Sequence, residues 1–401
     1  MTTRIIGIVA ALTCSIGTAA QATTNLRSFD PVALERVVEA TAKDLLLPGA
    51  MVLLRTPQGN LAFGYGATEL GGATAPRADT NFRIASNTKT MTAAVIVLLV
   101  QEGKLRFDDP VSKYVEAVPN GDNITIGKPL KMRSGLYNHT SAPELAESLD
   151  RDPTRVWTPQ ELLAIAFKRL PNFAPGKEYE YCNTNYVLLG LVAEKLEGAA
   201  LAKIFQDRLF GPLGMRHTLL PASTSNTLPE PYSYGYMYGS SSYALADEPY
   251  PAELQAAAKA GVLKPNDDTG QNPSYAFAAG NAISNADDLA IWMRSLVGGK
   301  VFDGEYQRQW LESPEPQDPA KPLGQKYGYG ISEITFGPNS MYFHGGEMPG
   351  YNSFMGYDPV NDVTLVIWTS LTVSLDGRTP ANVIMLKMLD QIYTVSPLQQ
   401  R

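Results

Sequence analysis

The apolar positions fall into three stretches of different period. Near the start, Asp30-Pro31 leads into Val32, Leu34, Val37, Val38 and Ala42, one apolar helical stripe with an Asp cap and Pro at the first helical position. Gly49 to Arg55 and Leu61 to Ala67 read as strands, joined by the hairpin signal Thr56-Pro57-Gln58-Gly59-Asn60. After the loop 71–79, a short extended run from Phe82 turns into a helix at Ser86 that ends at Gly103. That helix carries Met91, Ala94, Val95, Val97, Leu98, Leu99 and Val100, an apolar surface so nearly continuous that it predicts a buried central helix.

From Asp108 to about Ala290 the pattern is helical, broken by loops rich in Pro, Gly, Asn and Tyr. Thr158-Pro159-Gln160-Glu161 opens one helix as a near capping box, and Asn185 to Leu196 forms another with Val187, Leu188, Leu191 and Val192 inward. Tyr232, Tyr234, Tyr236, Tyr238 and Tyr243, interleaved with Gly and Ser, fit either an aromatic surface loop or a lid facing substrate. Strand patterns return at Tyr329 to Phe336, Met341 to His344, Asn352 to Tyr357 and Val363 to Thr369, and a helix from Pro380 to Ile392 closes the chain. The Pro-rich stretch from Ser313 to Pro322 reads as a loop. These stretches predict an α/β lobe from 23–107 and 285–401, with a helical lobe, 108–284, inserted in it.

Composition narrows the class. With 401 residues, 44% of them hydrophobic, the chain can bury a core larger than a single lobe usually holds. Residues 1–22 carry one basic residue, Arg4, an apolar run from Ile5 to Leu12 and the small-residue site Ala20-Gln21-Ala22, so a cleaved signal peptide and a periplasmic or secreted protein are expected. The run is too short for a membrane span, and no membrane anchor is expected. A net charge of −7 and the lack of a basic patch disfavour nucleic acid as a partner. Cys14 leaves with the leader, and Cys182 is then expected to be a small buried filler without a disulfide partner. His139, His217 and His344 lie far apart, and no metal-ligand pattern, phosphate loop or dinucleotide fingerprint occurs, so neither a metal nor another cofactor is expected.

The candidate chemistry begins at Ser86. A helix starting there puts Lys89 one turn on, within reach of the hydroxyl, which pairs a nucleophile with its activator. The helix N-terminus also favours developing negative charge. Further along come Tyr181-Cys182-Asn183, opening a predicted helix, and His344-Gly345-Gly346, ending a predicted strand.

Ser-x-x-Lys, Tyr-x-Asn and a His-Gly-Gly triplet, in this order, resemble the penicillin-recognising serine hydrolases. Within them the chain is most similar to the branch of class C β-lactamases and D-alanyl-D-alanine carboxypeptidases, which also holds D-aminopeptidases and carboxylesterases. The likeness runs from about Asn81 to Trp368 and includes Lys104 to Val111, Ser134-Gly135-Leu136, Pro175-Gly176, Pro212 to Met215 and Pro349-Gly350-Tyr351. It implies an antiparallel sheet flanked by terminal helices beside an all-helical lobe. It also implies that Ser86 is the acylated nucleophile, Lys89 its activator and Tyr181 a proton relay. Asn183 and His344 would line the substrate, with Gly346 completing the triplet, and the backbone N–H groups of Ser86 and Glu347 would form an oxyanion hole. Whether Lys89 or Tyr181 is the base stays open: burial can lower the pKa of a lysine, and a tyrosine beside a cation can become more acidic.

The resemblance implies acyl transfer and leaves the acyl donor open. A histidine in the third motif favours a D-alanyl-D-alanine carboxypeptidase or D-amino-acid peptidase, acting on a short peptide or other small molecule. Against the former, no Arg occurs from Gln309 to Gly377 to meet a substrate carboxylate, and Glu347 adds negative charge there. An ester or β-lactam substrate is the alternative, and a penicillin-binding protein without turnover the non-enzymatic one.

Overall fold

A computed structural model describes residues 25–245, 250–395 and 397. The expected leader, residues 1–22 with Cys14, lies outside the described residues.

Eight strands form one antiparallel sheet: β1 (Gly49–Thr56), β2 (Gly59–Gly66), β3 (Glu315–Pro316), β4 (Lys326–Tyr327), β5 (Ser332–Phe336), β6 (Asn339–Met348), β7 (Tyr351–Asp358) and β8 (Val363–Thr369). Their spatial order is β2-β1-β8-β7-β6-β5-β4-β3, so the first and last strands in sequence are neighbours. β1 pairs with β8 from Ala50↔Thr369 to Arg55↔Thr364. Successive side chains point to opposite faces, and both faces are covered. Ala50, Val52 and Leu54 enter the core beneath α1 (Pro31–Asp44) and α5 (Pro380–Ile392), while Met51 and Leu53 enter the other core. Each fully buried Val, Leu or Ile there contributes about 1.5–3 kcal/mol relative to exposure.

The second face packs on α4 (Ala286–Val297) and, beyond it, on α2 (Thr88–Gln101) and the helical lobe, whose central helix is α3 (Asn183–Glu197). Eleven of the fourteen α2 residues are buried, as its apolar surface predicts, so its polar side chains need partners inside the protein. The hydroxyls of Thr88, Thr90 and Thr92 donate to the carbonyls of Ala85, Asn87 and Ala278, and the Trp292 indole donates to Thr90 Oγ1. In the lobe, Thr158 and Glu161 complete the capping box in both directions. Gly190 of α3 admits the turn Pro273–Ala279: a Cβ on it would lie 2.4 Å from the Ala278 Cβ.

Three elements differ from expectation. The α-helix begins at Thr88 rather than Ser86, because Ala85–Asn87 forms a tighter 3-10 turn, with Ala85 in the left-handed region at φ 47°. The third-motif strand runs four residues past His344 to Met348; Gly345↔Phe354 and Gly346↔Ser353 keep the register of β7 without a bulge. Two short strands, β3 and β4, extend the sheet beyond β5, and β3 lies inside the Pro-rich stretch 313–322 that reads as a loop. The tyrosine-rich stretch is fastened to the sheet. Tyr236 N–H donates to the Ser370 carbonyl, its hydroxyl accepts from Leu70 N–H, and Tyr236 and Tyr238 are buried in the core under α1 and α5.

Candidate active site

The turn Ala85–Asn87, the start of α3, the end of β6 and the carbonyl of Ala279 converge on one cleft of 550 Å³. Ser86, Tyr181, Asn183, His344, Gly346 and Glu347 all line it, and Lys89 lies fully buried behind Ser86. All seven residues expected from the sequence are thus brought together.

Two contacts hold the Ser86 turn against the sheet. Asn87 Nδ2 donates to Ser353 Oγ at 2.8 Å, and β6 passes so close that a Cβ at Gly346 would lie 2.3 Å from the Ile84 carbonyl oxygen. Only glycine fits there. The strand end is therefore pressed on the residues that set the direction of Ser86.

Lys89 Nζ lies 2.8 Å from Ser86 Oγ, 2.7 Å from Asn183 Oδ1 and 2.8 Å from the Ala279 carbonyl oxygen. Burial holds its pKa well below the ordinary lysine value. The partner set suits the neutral amine. Its two N–H groups satisfy Asn183 Oδ1 and the Ala279 carbonyl, which can only accept, and its lone pair is left for the one partner that can donate, the Ser86 hydroxyl. Asn183 Nδ2 gives one hydrogen to Thr140 Oγ1 at 2.9 Å, so this amide, expected to face substrate, is also the orienter of Lys89.

Tyr181 lies beside Lys89 and lines the cleft. Its ring leaves 37% of the residue open to the cleft, while its hydroxyl end turns inward to Ser86, and the Lys89 Nζ lies 4.8 Å from the ring centroid. Burial pushes the phenol pKa well up, with the Ser86 hydroxyl opposing. Acidification of the phenol needs a cation, and the lysine that would supply it is itself driven toward the neutral amine. Both groups therefore favour their uncharged forms.

His344 is buried, and its Nδ1 lies 2.6 Å from the Gly345 carbonyl oxygen while Nε2 lies 3.1 Å from the Tyr327 hydroxyl. Burial lowers its pKa to about 3. Glu347 Oε2 accepts from Asn352 Nδ2 at 3.2 Å, and Asn352 Oδ1 accepts from Ala381 N–H in the first turn of α5. Cys182 is buried with its thiol on the Leu136 carbonyl, and burial pushes its pKa up to about 11, which leaves an unreactive thiol.

Tyr327 and the Ala279 carbonyl are parts of the cleft that sequence reading missed. Tyr327 opens the run Tyr-Gly-Tyr-Gly, 327–330, a signal left unused; a backbone carbonyl carries no signal of its own.

A serine hydroxyl on a buried uncharged amine, a protonated phenol beside it and backbone N–H groups at a helix start form the equipment of a serine hydrolase. Residues 34–387 match the family described as Beta-lactamase, and the chain belongs to that family of β-lactamase- and penicillin-binding-protein-like serine hydrolases. A D-stereospecific amidohydrolase from Streptomyces sp. is 27% identical, with a TM-score of 0.75 over 89% of this chain and 98% of that one. The D-amino acid amidase from Ochrobactrum anthropi SV3, solved with L-phenylalanine amide, is 25% identical, with a TM-score of 0.71 over 88% and 95%. Protein flp of Staphylococcus aureus strain N315 is 24% identical over 371 residues, 87% of this chain and 64% of that protein. The chain thus spans less than two thirds of that curated relative's length.

Proposed function

We propose that this serine hydrolase cleaves amides and short peptides of amine-bearing D-amino acids through an ester on Ser86. One observation carries the reading. Among the described residues lining the cleft are two carboxylates, Glu180 and Glu347, and no Lys or Arg, while His344 is uncharged. A substrate carboxylate would lie there unpaired, which is unfavourable in a partly dry cleft, whereas a substrate ammonium finds acidic neighbours. The solved relatives named for D-amino acid amide or D-stereospecific hydrolysis support the same class.

In this reading Ser86 Oγ attacks the amide carbon while its proton passes to the lone pair of Lys89. The oxyanion faces the backbone N–H groups of Ser86 and Glu347, where one such donor is typically worth about 3 kcal/mol. Tyr181 hands its proton to the departing amine and recovers one from the Lys89 ammonium. Water then takes the place of the amine and cleaves the ester by the reverse transfers.

The test is a panel of D- and L-phenylalanine amide, N-acetyl-D-Ala-D-Ala, a p-nitrophenyl ester and a chromogenic cephalosporin, with Ser86→Ala as the baseline. The D-amide should have the highest kcat/KM, by about tenfold or more over its L-isomer and the carboxylate-ended peptide. A first rank for the carboxylate-ended peptide, the ester or the cephalosporin would overturn the substrate class. Rates no higher than those of Ser86→Ala on every compound would remove the enzyme reading.

A further inference from the structure

The third motif supplies a histidine, yet the ring has no free nitrogen. The Gly345 carbonyl oxygen, 2.6 Å from Nδ1, can only accept, so Nδ1 carries the hydrogen. An uncharged imidazole has one N–H, so Nε2 is a bare acceptor; of the groups at the Tyr327 hydroxyl, Tyr186 already donates to the Leu130 carbonyl, and donation from Tyr327, at 3.1 Å, is what satisfies Nε2. Tyr327 is held firmly enough to impose this. It is buried on β4, paired in register with Ser332, which lies in turn opposite Phe343, the neighbour of His344. Its ring meets His344 at a centroid distance of 5.8 Å and 76°, Tyr181 at 6.3 Å and 87°, and Tyr179 at 6.0 Å.

We propose that Tyr327 is a positioning residue that sets substrate charge preference: its hydroxyl occupies His344 Nε2, locks the ring as the Nδ1–H tautomer and keeps this wall of the cleft without a cation. The consequence follows from the lining. With neither Lys nor Arg among the described residues there, His344 is the group whose protonation would turn this wall from carboxylate-rejecting to carboxylate-accepting. A phenol donating to Nε2 stabilises the uncharged ring and opposes protonation at that atom. In Tyr327→Phe the lone pair is left without a donor, so His344 takes up a proton at higher pH and can then pair with a carboxylate on the leaving side of a substrate. The substrate consequence rests on the amine-selecting reading above; the tautomer does not.

Two measurements test this. In protein labelled with 15N-histidine, with His344→Gln to assign the signal, His344 should show a protonated Nδ1 and an unprotonated Nε2, unchanged down to about pH 5. In Tyr327→Phe, checked for native circular dichroism, the same ring should titrate at a higher pH. The ratio of kcat/KM for N-acetyl-D-Ala-D-Ala to that for D-phenylalanine amide at about pH 5.5 should rise about tenfold, roughly the worth of one charge-assisted hydrogen bond. An Nε2–H tautomer in the wild type, or a wild-type titration in Tyr327→Phe, overturns the proposal. So does an unchanged ratio with a ring that has become protonated. Absence of D-amide hydrolysis by the wild type, with the tautomer as stated, would sink the function reading and leave the positioning of His344 standing.

Discussion

Two of the three histidines are buried and held uncharged, so acid should destabilise this protein through them by a calculable amount. Burial lowers His344 to about 3, and burial lowers His139 to about 4 against an opposing hydrogen bond to the Tyr275 carbonyl. Both folded values lie below the ordinary 6.5, so the unfolded chain binds more protons in between. Stability is therefore full above 6.5 and is lost as pH falls toward 4 and then 3. Going from about pH 7.5 to about pH 5, each unfolded imidazole gains about 2 kcal/mol that the folded one does not, or about 4 kcal/mol for the pair. That is a large part of an ordinary stability of about 5–15 kcal/mol. Asp268 acts in the opposite sense: burial, then Asp267 and Asp150, push its carboxyl up to about 7, so the folded state gains by taking up that proton over the same interval. The wild-type pH dependence is then a difference of terms, and a variant is needed to isolate one of them. Urea unfolding of wild type and His344→Gln at the two pH values does so. The substitution should shrink the acid loss by about 2 kcal/mol, whatever it does to stability at the higher pH. Equal losses in the two proteins would refute the reasoning, because His344 would then protonate in the folded state near its ordinary pKa.

Gly346→Ala puts a Cβ 2.3 Å from the Ile84 carbonyl oxygen, an atom of the backbone leading into the Ser86 turn. A destabilisation of about 1–3 kcal/mol by thermal unfolding and a loss of kcat of about a hundredfold are expected, since the strand can relax only by moving the nucleophile. Unchanged kcat would mean that β6 does not set the position of Ser86. Tyr181→Phe keeps the ring that covers Lys89 and removes the acidic hydrogen. The expected drop in kcat is at least about a hundredfold with stability little changed, and near wild-type turnover would assign the proton transfer elsewhere.

Most of the fold was legible because its central elements are apolar along their whole length and its outer helices carry one apolar stripe. The last strand, Val363–Thr369, and the last helix, Pro380–Ile392, lie where their patterns put them, and the buried central helix follows from an apolar surface with no polar face. Reading failed where backbone geometry, not side-chain pattern, decides. Ala85 adopts φ 47° in a tight turn, and no residue type in Ile84-Ala85-Ser86 announces it. The tyrosine-rich stretch could be read as a loop or a lid because alternation with Gly and Ser hides which rings are inside; Tyr236 and Tyr238 are, through main-chain pairing with Ser370 and packing under α1 and α5.

The site divides along the same line. Ser86, Lys89, Tyr181, Asn183, His344, Gly346 and Glu347 could be listed from three short motifs, but their charge states could not, since these depend on what closes over them. The motif places a lysine near a tyrosine, and from that alone either a lysine lowered by burial or a tyrosine made acidic by the cation is open. Burial of both favours the first: an amine that shares the desolvation of the phenol is no longer the cation that would acidify it. His344 shows the same dependence over a longer path. Its partner Tyr327 lies seventeen residues earlier, on a strand two residues long that carries no alternation to read. Only the register Tyr327↔Ser332 and Ser332↔Phe343 brings the hydroxyl to the ring. A motif histidine that sequence alone allows to be a cation is thereby made an uncharged, fully bonded wall, and the charge that a substrate meets in this cleft is set by sheet pairing as much as by the motif.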